Sequence, residues 1–429
     1  MHRDRACVVS AVALVVALSA SCAGSPQEQA ATPDTSSSPT GSRTQPRDSS
    51  EQPRTVSPVP VDSGTTSSAT RPTAPDSVIP TARPEPRIDP LDARVQAMTL
   101  RDRARQLLVV GFSGTTAPAR LIDSLHPGGL IYFAPNVASS SQVRAMSMAA
   151  QRASRAAGQP LLILTDQEGG PVTRLPGTSD VPAGSEFGAD AAWARRTARS
   201  TGRSLVDVGV NVDLAPVADV NTVGSGGVIG SRSFSSDPTV VSRLVGAQVC
   251  GYHEGGVAAA AKHFPGHGST STDSHLSTAT IHESLARWRS TDLPPFASAV
   301  DSNVDLIMVG HLALPAIDPA GRPATISPLL TQQLLRQRLD FEGVIVTDAL
   351  NMGGVTSWGS SRSIAVQAIQ SGVDLLLMPP QPRKAVVAIV QAVRDGRISE
   401  SRLNASVDRV LRLKQKLGLY RAPKRLGTC

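Results

Sequence analysis

Residues 257–275 read Val-Ala-Ala-Ala-Ala-Lys-His-Phe-Pro-Gly-His-Gly-Ser-Thr-Ser-Thr-Asp-Ser-His. An apolar run, Val257 to Ala261, breaks into a lysine, three histidines and an aspartate with turn-forming glycines between them. Polar side chains cost free energy in an interior unless each finds a partner, so a cluster this dense needs a reason beyond packing. The stretch reads as the end of a buried strand followed by an active-site loop.

The same pattern recurs along the chain. Short apolar runs occupy Leu107 to Phe112, Gly129 to Phe133, Leu161 to Thr165, Val212 to Val217, Val257 to Ala261, Val304 to Val309, Gly343 to Thr347 and Asp374 to Met378. Between them lie segments with apolar residues three or four apart, among them Val143 to Ala157, Ala191 to Val206, Pro238 to Tyr252, Pro328 to Leu339 and Ser361 to Ser371. Continuous apolar strands alternating with amphipathic helices predict a parallel sheet covered on both faces. Eight such units predict an α/β fold, a single closed (β/α)8 barrel of the TIM type, finished by helices between Arg383 and Lys416. An open doubly wound sheet is the alternative. The segment Gly111-Phe-Ser-Gly-Thr-Thr116 after the first run lacks the dinucleotide-binding glycine spacing that would mark it.

Polar residues gather just after the runs: Asp166-Gln-Glu-Gly-Gly170, Asp219 with the glycine-rich loop to Arg232, Lys262 to His275, His311, and Asp348. In a barrel these positions share the C-terminal rim, where the loops converge on one pocket. Asp348, directly after a strand, is placed to act as a nucleophile or, alternatively, to cap a following helix. Asp273 and His275 are two residues apart, so the carboxylate can fix the imidazole tautomer and make it a general acid or base; the plainer reading is an exposed pair on a mobile loop. Lys262 and His263 suit hydrogen bonds to ligand hydroxyls. Asp166, Arg174 and Arg232 are either ligand contacts or structural ion pairs. His263 and His267 have the spacing of a helical zinc pair, but Pro265-Gly266 disfavours a helix and no third ligand has matching spacing. Neither a metal nor a cofactor is expected.

Ahead of the barrel the composition changes. Arg3 and Arg5 precede an apolar segment, Cys7 to Leu18, which ends in Ser19-Ala-Ser-Cys22, the pattern of a signal peptide over residues 1–21. Cys22 fits a bacterial lipobox except that Leu18 lies one position too early, so lipidation of Cys22, simple cleavage and an uncleaved anchor all stay open. Residues 22–88 are rich in Ser, Thr and Pro with almost no large apolar side chains, and read as a disordered linker reaching about 40–50 Å. The folded domain is expected over residues 89–429. Cys250 and Cys429 either pair or leave Cys250 as a buried free thiol. The net charge of +7 comes from scattered arginines and a C-terminal cluster, and aromatic residues, at 3%, are too few for a base-stacking platform, so nucleic acid is excluded as a partner.

Taken together, these stretches resemble the bacterial β-N-acetylhexosaminidases of glycoside hydrolase family 3. The resemblance is carried by Met98-Thr-Leu100, Gln106, Asp166-Gln-Glu-Gly-Gly170, Asn211-Val-Asp-Leu-Ala-Pro-Val-Ala-Asp219, Arg232-Ser-Phe234, Lys262-His-Phe-Pro-Gly-His-Gly268, Asp273-Ser-His275 and Thr347-Asp-Ala-Leu350, and it covers the whole folded part. It implies Asp348 as catalytic nucleophile, His275 as acid/base and Asp273 as the carboxylate that orients it. Asp166, Lys262, His263 and Arg232 match residues that hold the hydroxyls of a terminal N-acetylglucosamine, and Arg174 matches a position near that sugar. Two-domain β-glucosidases of the family take their acid/base from elsewhere, whereas here the Asp273–His275 loop supplies it from the barrel. The implied reaction is retaining release of terminal β-linked N-acetylglucosamine from peptidoglycan fragments in cell-wall recycling. The implied enzyme is a monomer, lipid-anchored to the outer face of the cell membrane. Phosphorolysis on the same site and a non-catalytic wall-binding lipoprotein are the alternatives. On this reading the opening stretch divides into a fixed sugar-binding half and a mobile catalytic half.

Overall fold

The computed structural model describes residues 90–175, 181–420 and 425–427. The expected signal peptide, Cys22, the linker, and Cys429 lie outside the described residues. Among the described residues no helix is long and apolar enough to cross a membrane.

Eight parallel strands form one sheet: β1 (Leu108–Val110), β2 (Gly129–Tyr132), β3 (Leu162–Thr165), β4 (Val212–Asp213), β5 (Ala258–Phe264), β6 (Leu306–Val309), β7 (Val344–Thr347) and β8 (Leu376–Leu377). Each pairs with its neighbour in sequence, as in Val109↔Gly129, Val212↔Ala258 and Val344↔Leu306. Leu108↔Leu376 pairs β8 back to β1, and Val346↔Leu375 bridges β7 to β8, so the sheet closes on itself. Strands of a closed parallel sheet are covered from inside and outside, and β2, β3, β5, β6 and β7 are buried along their whole length. That is the reason the runs are continuous rather than alternating.

The connecting helices start where their caps dictate. Ser139 accepts from the Gln142 amide to open α1 (Ser140–Ala156), and Asp190 accepts from Trp193 to open α2 (Ala191–Asp207). Asp237 caps α3 (Pro238–Gly255), whose proline occupies the first turn where no amide hydrogen is needed; Gly256, at a φ of 89°, ends it. Cys250 on α3 is disulfide-bonded, and Cys429, the partner the sequence offers, is not among the described residues. The chain finishes with α4 (Leu293–Asp301), α5 (Ser361–Ser371), α6 (Pro382–Arg394) and α7 (Glu400–Lys416). From α7, Leu403, Val407, Val410 and Leu411 press onto the barrel.

The closing seam has its own polar lock. Asp374, fully buried just before β8, accepts from the Ile345 amide at 3.0 Å and Ser406 Oγ at 2.7 Å. It also faces three arginines: Arg336, Arg402 at 3.2 Å and Arg409 at 3.4 Å. One carboxylate thereby ties β7, β8 and α7 together.

β5 runs on past the apolar run through Lys262 and His263 to Phe264, so these two polar residues form the strand end and the loop starts after them. The Asp166 loop is not irregular; Gln167–Gly169 and Val172–Thr173 form a small antiparallel hairpin. Short polar hairpins of this kind carry no apolar periodicity by which to find them.

Candidate active site

The C-terminal rim gathers two groups of side chains. The first is an ion-pair cluster. The Lys262 ammonium, only 2% exposed, reaches Asp166 Oδ1 at 2.6 Å and Glu168 Oε1 at 2.5 Å. Glu168 in turn takes a two-pronged pair from Arg232, Nε to Oε2 at 2.7 Å and a terminal nitrogen to Oε1 at 2.8 Å. Burial works against the Glu168 charge, but Lys262 and Arg232 outweigh it and hold the carboxyl well below its ordinary range. Lys262 is kept charged in the same way, against its burial, by Asp166 and Glu168. Two cations and two carboxylates thus hold one another in fixed positions at the rim.

His263 joins this cluster. Its Nδ1 lies 2.8 Å from Asp219 Oδ2, and its Nε2 lies 3.5 Å from the Arg232 guanidinium. An arginine can only donate, so Nδ1 carries the proton given to Asp219 and Nε2 is left as an acceptor at the rim. The Lys262–His263 peptide is cis. Below them Asp213 accepts from the Gln167 amide at 2.9 Å; burial, helped by Asp166 and Glu168, pushes its carboxyl up to about 7.

The second group surrounds Asp348. The residue follows β7, its amide bonded to the Val309 carbonyl at 2.9 Å and its Oδ1 accepting from Ala349 at 2.7 Å. It caps no helix; the next helical turn, Gly353–Thr356, opens at Met352. Burial alone would raise the Asp348 carboxyl. His263, His311 and Lys262 together hold it below the ordinary carboxylate value instead, so it is an anion at neutral pH. His311 is fully buried with Nε2 2.9 Å from the Ala349 carbonyl and Nδ1 2.7 Å from Thr325 Oγ1, which fixes the backbone on which Asp348 sits.

Asp273 and His275 form the expected pair. His275 Nδ1 is 2.8 Å from Asp273 Oδ1, which also accepts the His275 amide at 2.9 Å. Their side chains are 42% and 67% exposed, so the imidazole presents its free Nε2 to solvent at the rim. The loop that carries them is docked, not free. Gly353 donates to the His275 carbonyl at 2.8 Å and Gly354 to the Ser274 carbonyl at 3.0 Å. Thr278 Oγ1 bonds the Gly354 carbonyl at 2.6 Å and receives the Trp358 indole at 3.0 Å. The acid/base candidate is therefore fastened to the segment that follows the nucleophile candidate.

Lys262, His263, Asp166 and Arg232 are thus brought together, with Asp348 beside His263. Arg174 is not drawn into the cluster: its amide bonds Gln167, and its Nε is buried with no partner among the described residues. Glu168, Asp219 and His311 complete the site; the sequence sets them at the rim but assigns them no role. Their only signal is position, since each lies in a polar segment directly after an apolar run. His263 and His267 meet edge to face with ring centres 5.9 Å apart. Among the described residues no three metal-type ligands cluster.

The arrangement, an ionised carboxylate beside His263 with an imidazole–carboxylate pair fastened to the segment that follows it, suits a glycosidase. Residues 99–413 match the glycosyl hydrolase family 3 N-terminal domain. The chain belongs to glycoside hydrolase family 3. Within that family, it is 38% identical over 281 residues to a β-hexosaminidase of Idiomarina loihiensis, covering 63% of this chain and 83% of that protein. To β-hexosaminidase A of Pseudoalteromonas piscicida it is 34% identical over 335 residues, 71% of this chain but only 56% of that one. A family 3 β-N-acetylglucosaminidase structure from a Paenibacillus species superposes with a TM-score of 0.73 at 39% identity, over 76% of this chain and 64% of the other. This family 3 barrel therefore spans little more than half of the Pseudoalteromonas protein and somewhat under two thirds of the Paenibacillus one, and most of the Idiomarina one.

Proposed function

We propose that the protein is a retaining exo-β-N-acetylglucosaminidase, in which Asp348 attacks the anomeric carbon while His275 protonates the leaving oxygen. A glycosyl-enzyme forms on Asp348, and His275, now neutral, takes a proton from water to release the sugar. Lys262, Asp166, Arg232 and His263 hold the hydroxyls of the terminal sugar, and Asp273 keeps the His275 proton on the ring nitrogen facing it so that Nε2 does the transfer. The observation that carries this reading is the docking of the Asp273–His275 loop onto residues 353–354, immediately downstream of the ionised Asp348.

The proposed substrate is the N-acetylglucosamine end of peptidoglycan fragments. The site of action is the outer face of the membrane, through lipid on Cys22. Support for both lies in the leader-like residues 1–21 and the polar linker, which would let a tethered barrel work within a wall. Incubating the enzyme with purified muropeptides, with and without inorganic phosphate, tests the reaction. Free N-acetylglucosamine in both arms supports hydrolysis, a sugar 1-phosphate in the second arm would replace it with phosphorolysis, and no released sugar rejects both. Cys22→Ser should move the protein from the membrane fraction to the soluble one; unchanged membrane association refutes the lipid anchor. His275→Ala should cost kcat/KM about 100-fold or more on a poor leaving group and far less on an activated aryl glycoside, and equal losses count against the acid role.

A further inference from the structure

The dyad is exposed, yet the residue between its two members is not. Ser274 is 3% exposed, and its Oγ lies 3.0 Å from His267 Nε2. His267 is itself buried, and its other ring nitrogen has no partner among the described residues, so the bond to Ser274 is the one this imidazole makes with a side chain there. The backbone amide of His267 bonds Asp219 Oδ1 at 2.7 Å, and that oxygen also accepts the His263 amide at 3.1 Å. Asp219 meanwhile holds the His263 ring through its second oxygen. One fully buried carboxylate therefore fixes both the sugar-facing histidine and His267, and His267 reaches across to the loop.

The other side of Ser274 is anchored too. Its carbonyl accepts from Gly354, on the segment downstream of Asp348. His267 also lies within electrostatic reach of both Asp348 and Asp273. Burial keeps the His267 imidazole below the ordinary histidine value, against the pull of Asp219, so it is a neutral linker with a single proton. A neutral ring suits a positional role, because a second positive charge here would oppose protonation of His275.

We propose that His267 and Ser274 form a positioning bridge that sets where His275 stands relative to Asp348, linking the sugar-binding strand end to the catalytic loop. The inference rests on His275 being the acid/base. Neither bridge residue touches substrate; they act through the placement of the dyad, and displacement of a catalytic group by about 1 Å is enough to cost about 100-fold.

The test compares kcat/KM on an unactivated N-acetylglucosamine disaccharide and on a 4-nitrophenyl N-acetylglucosaminide for Ser274→Ala, His267→Ala, His267→Gln and His275→Ala, and for the Ser274→Ala/His275→Ala double variant. Ser274→Ala should lose about 10- to 100-fold on the disaccharide and less than about threefold on the aryl glycoside. His267→Gln, whose side-chain amide reaches the place of the imidazole Nε2, should recover most of what His267→Ala loses. In the His275→Ala background, Ser274→Ala should cost nothing further. A selective loss in His275→Ala without one in Ser274→Ala overturns the bridge alone. The same Ser274→Ala penalty with and without His275 also overturns it, since the contact then only supports the fold. Absence of a selective loss in His275→Ala overturns the acid assignment and the bridge with it. Should His267→Ala fail to fold, the Ser274→Ala pair still decides the matter.

Discussion

Asp348 shows how far one residue's environment can be read. A carboxylate taken out of water is normally driven to hold a proton, and three cationic or imidazole neighbours reverse that here. Replacing it by alanine should lower turnover of an aryl N-acetylglucosaminide by at least about a thousandfold, followed by chromogenic assay; retained turnover would remove the nucleophile role. Lys414 is the opposite case. It is fully buried, its ammonium bonded to Gln106 Oε1 at 2.7 Å, and burial brings it down to about 7. The unfolded chain therefore binds more protons than the folded one between about pH 7 and the ordinary lysine range near 10.4, and stability rises across that window. Lys414→Met should accordingly gain most over the parent at pH 6 and lose that advantage toward pH 10, measured by urea unfolding at both pH values. An advantage that is constant with pH would show that the lysine does not titrate in this window.

At the scale of elements, the catalytic loop depends on two glycines as much as on its own sequence. A Cβ on Gly353 would lie 2.3 Å from the Leu276 carbonyl oxygen and 2.8 Å from that of His275, both backbone atoms that cannot swing aside. Gly353→Ala must push the loop away. Activity on unactivated substrates should fall about tenfold or more, with the melting temperature little changed. Full activity would mean the docked position is not the working one. The sequence offered the loop as mobile because glycine, serine and threonine fill it; what pins it is bonding to a segment some eighty residues away, which no local pattern can reveal.

For the whole molecule, closure of the barrel is the step that makes a site at all, since it brings β1 against β8 and the rim residues of all strands into one ring. Asp374 sits on that seam with three arginines around it. Asp374→Asn leaves those cations buried without their anion and should cost about 3–5 kcal/mol in urea unfolding, while KM of the protein that remains folded stays near the parent value. A loss under about 1 kcal/mol would mean the arginines find other partners.

The sequence by itself determined the eight buried strands, because a parallel sheet covered on both faces demands uninterrupted apolar runs and this chain writes them plainly. It also placed Asp348, Lys262 and His263 at strand ends, since a polar residue ending an apolar run has nowhere else to go, and set Asp273 and His275 on the loop that follows. What only the tertiary structure decided is how those residues are charged and held. Glu168 between Lys262 and Arg232, Asp219 beneath two histidines, and Ser274 against His267 are partnerships made by folding distant segments together. Hydrogen bonds act over about 3 Å of space and are blind to distance along the chain.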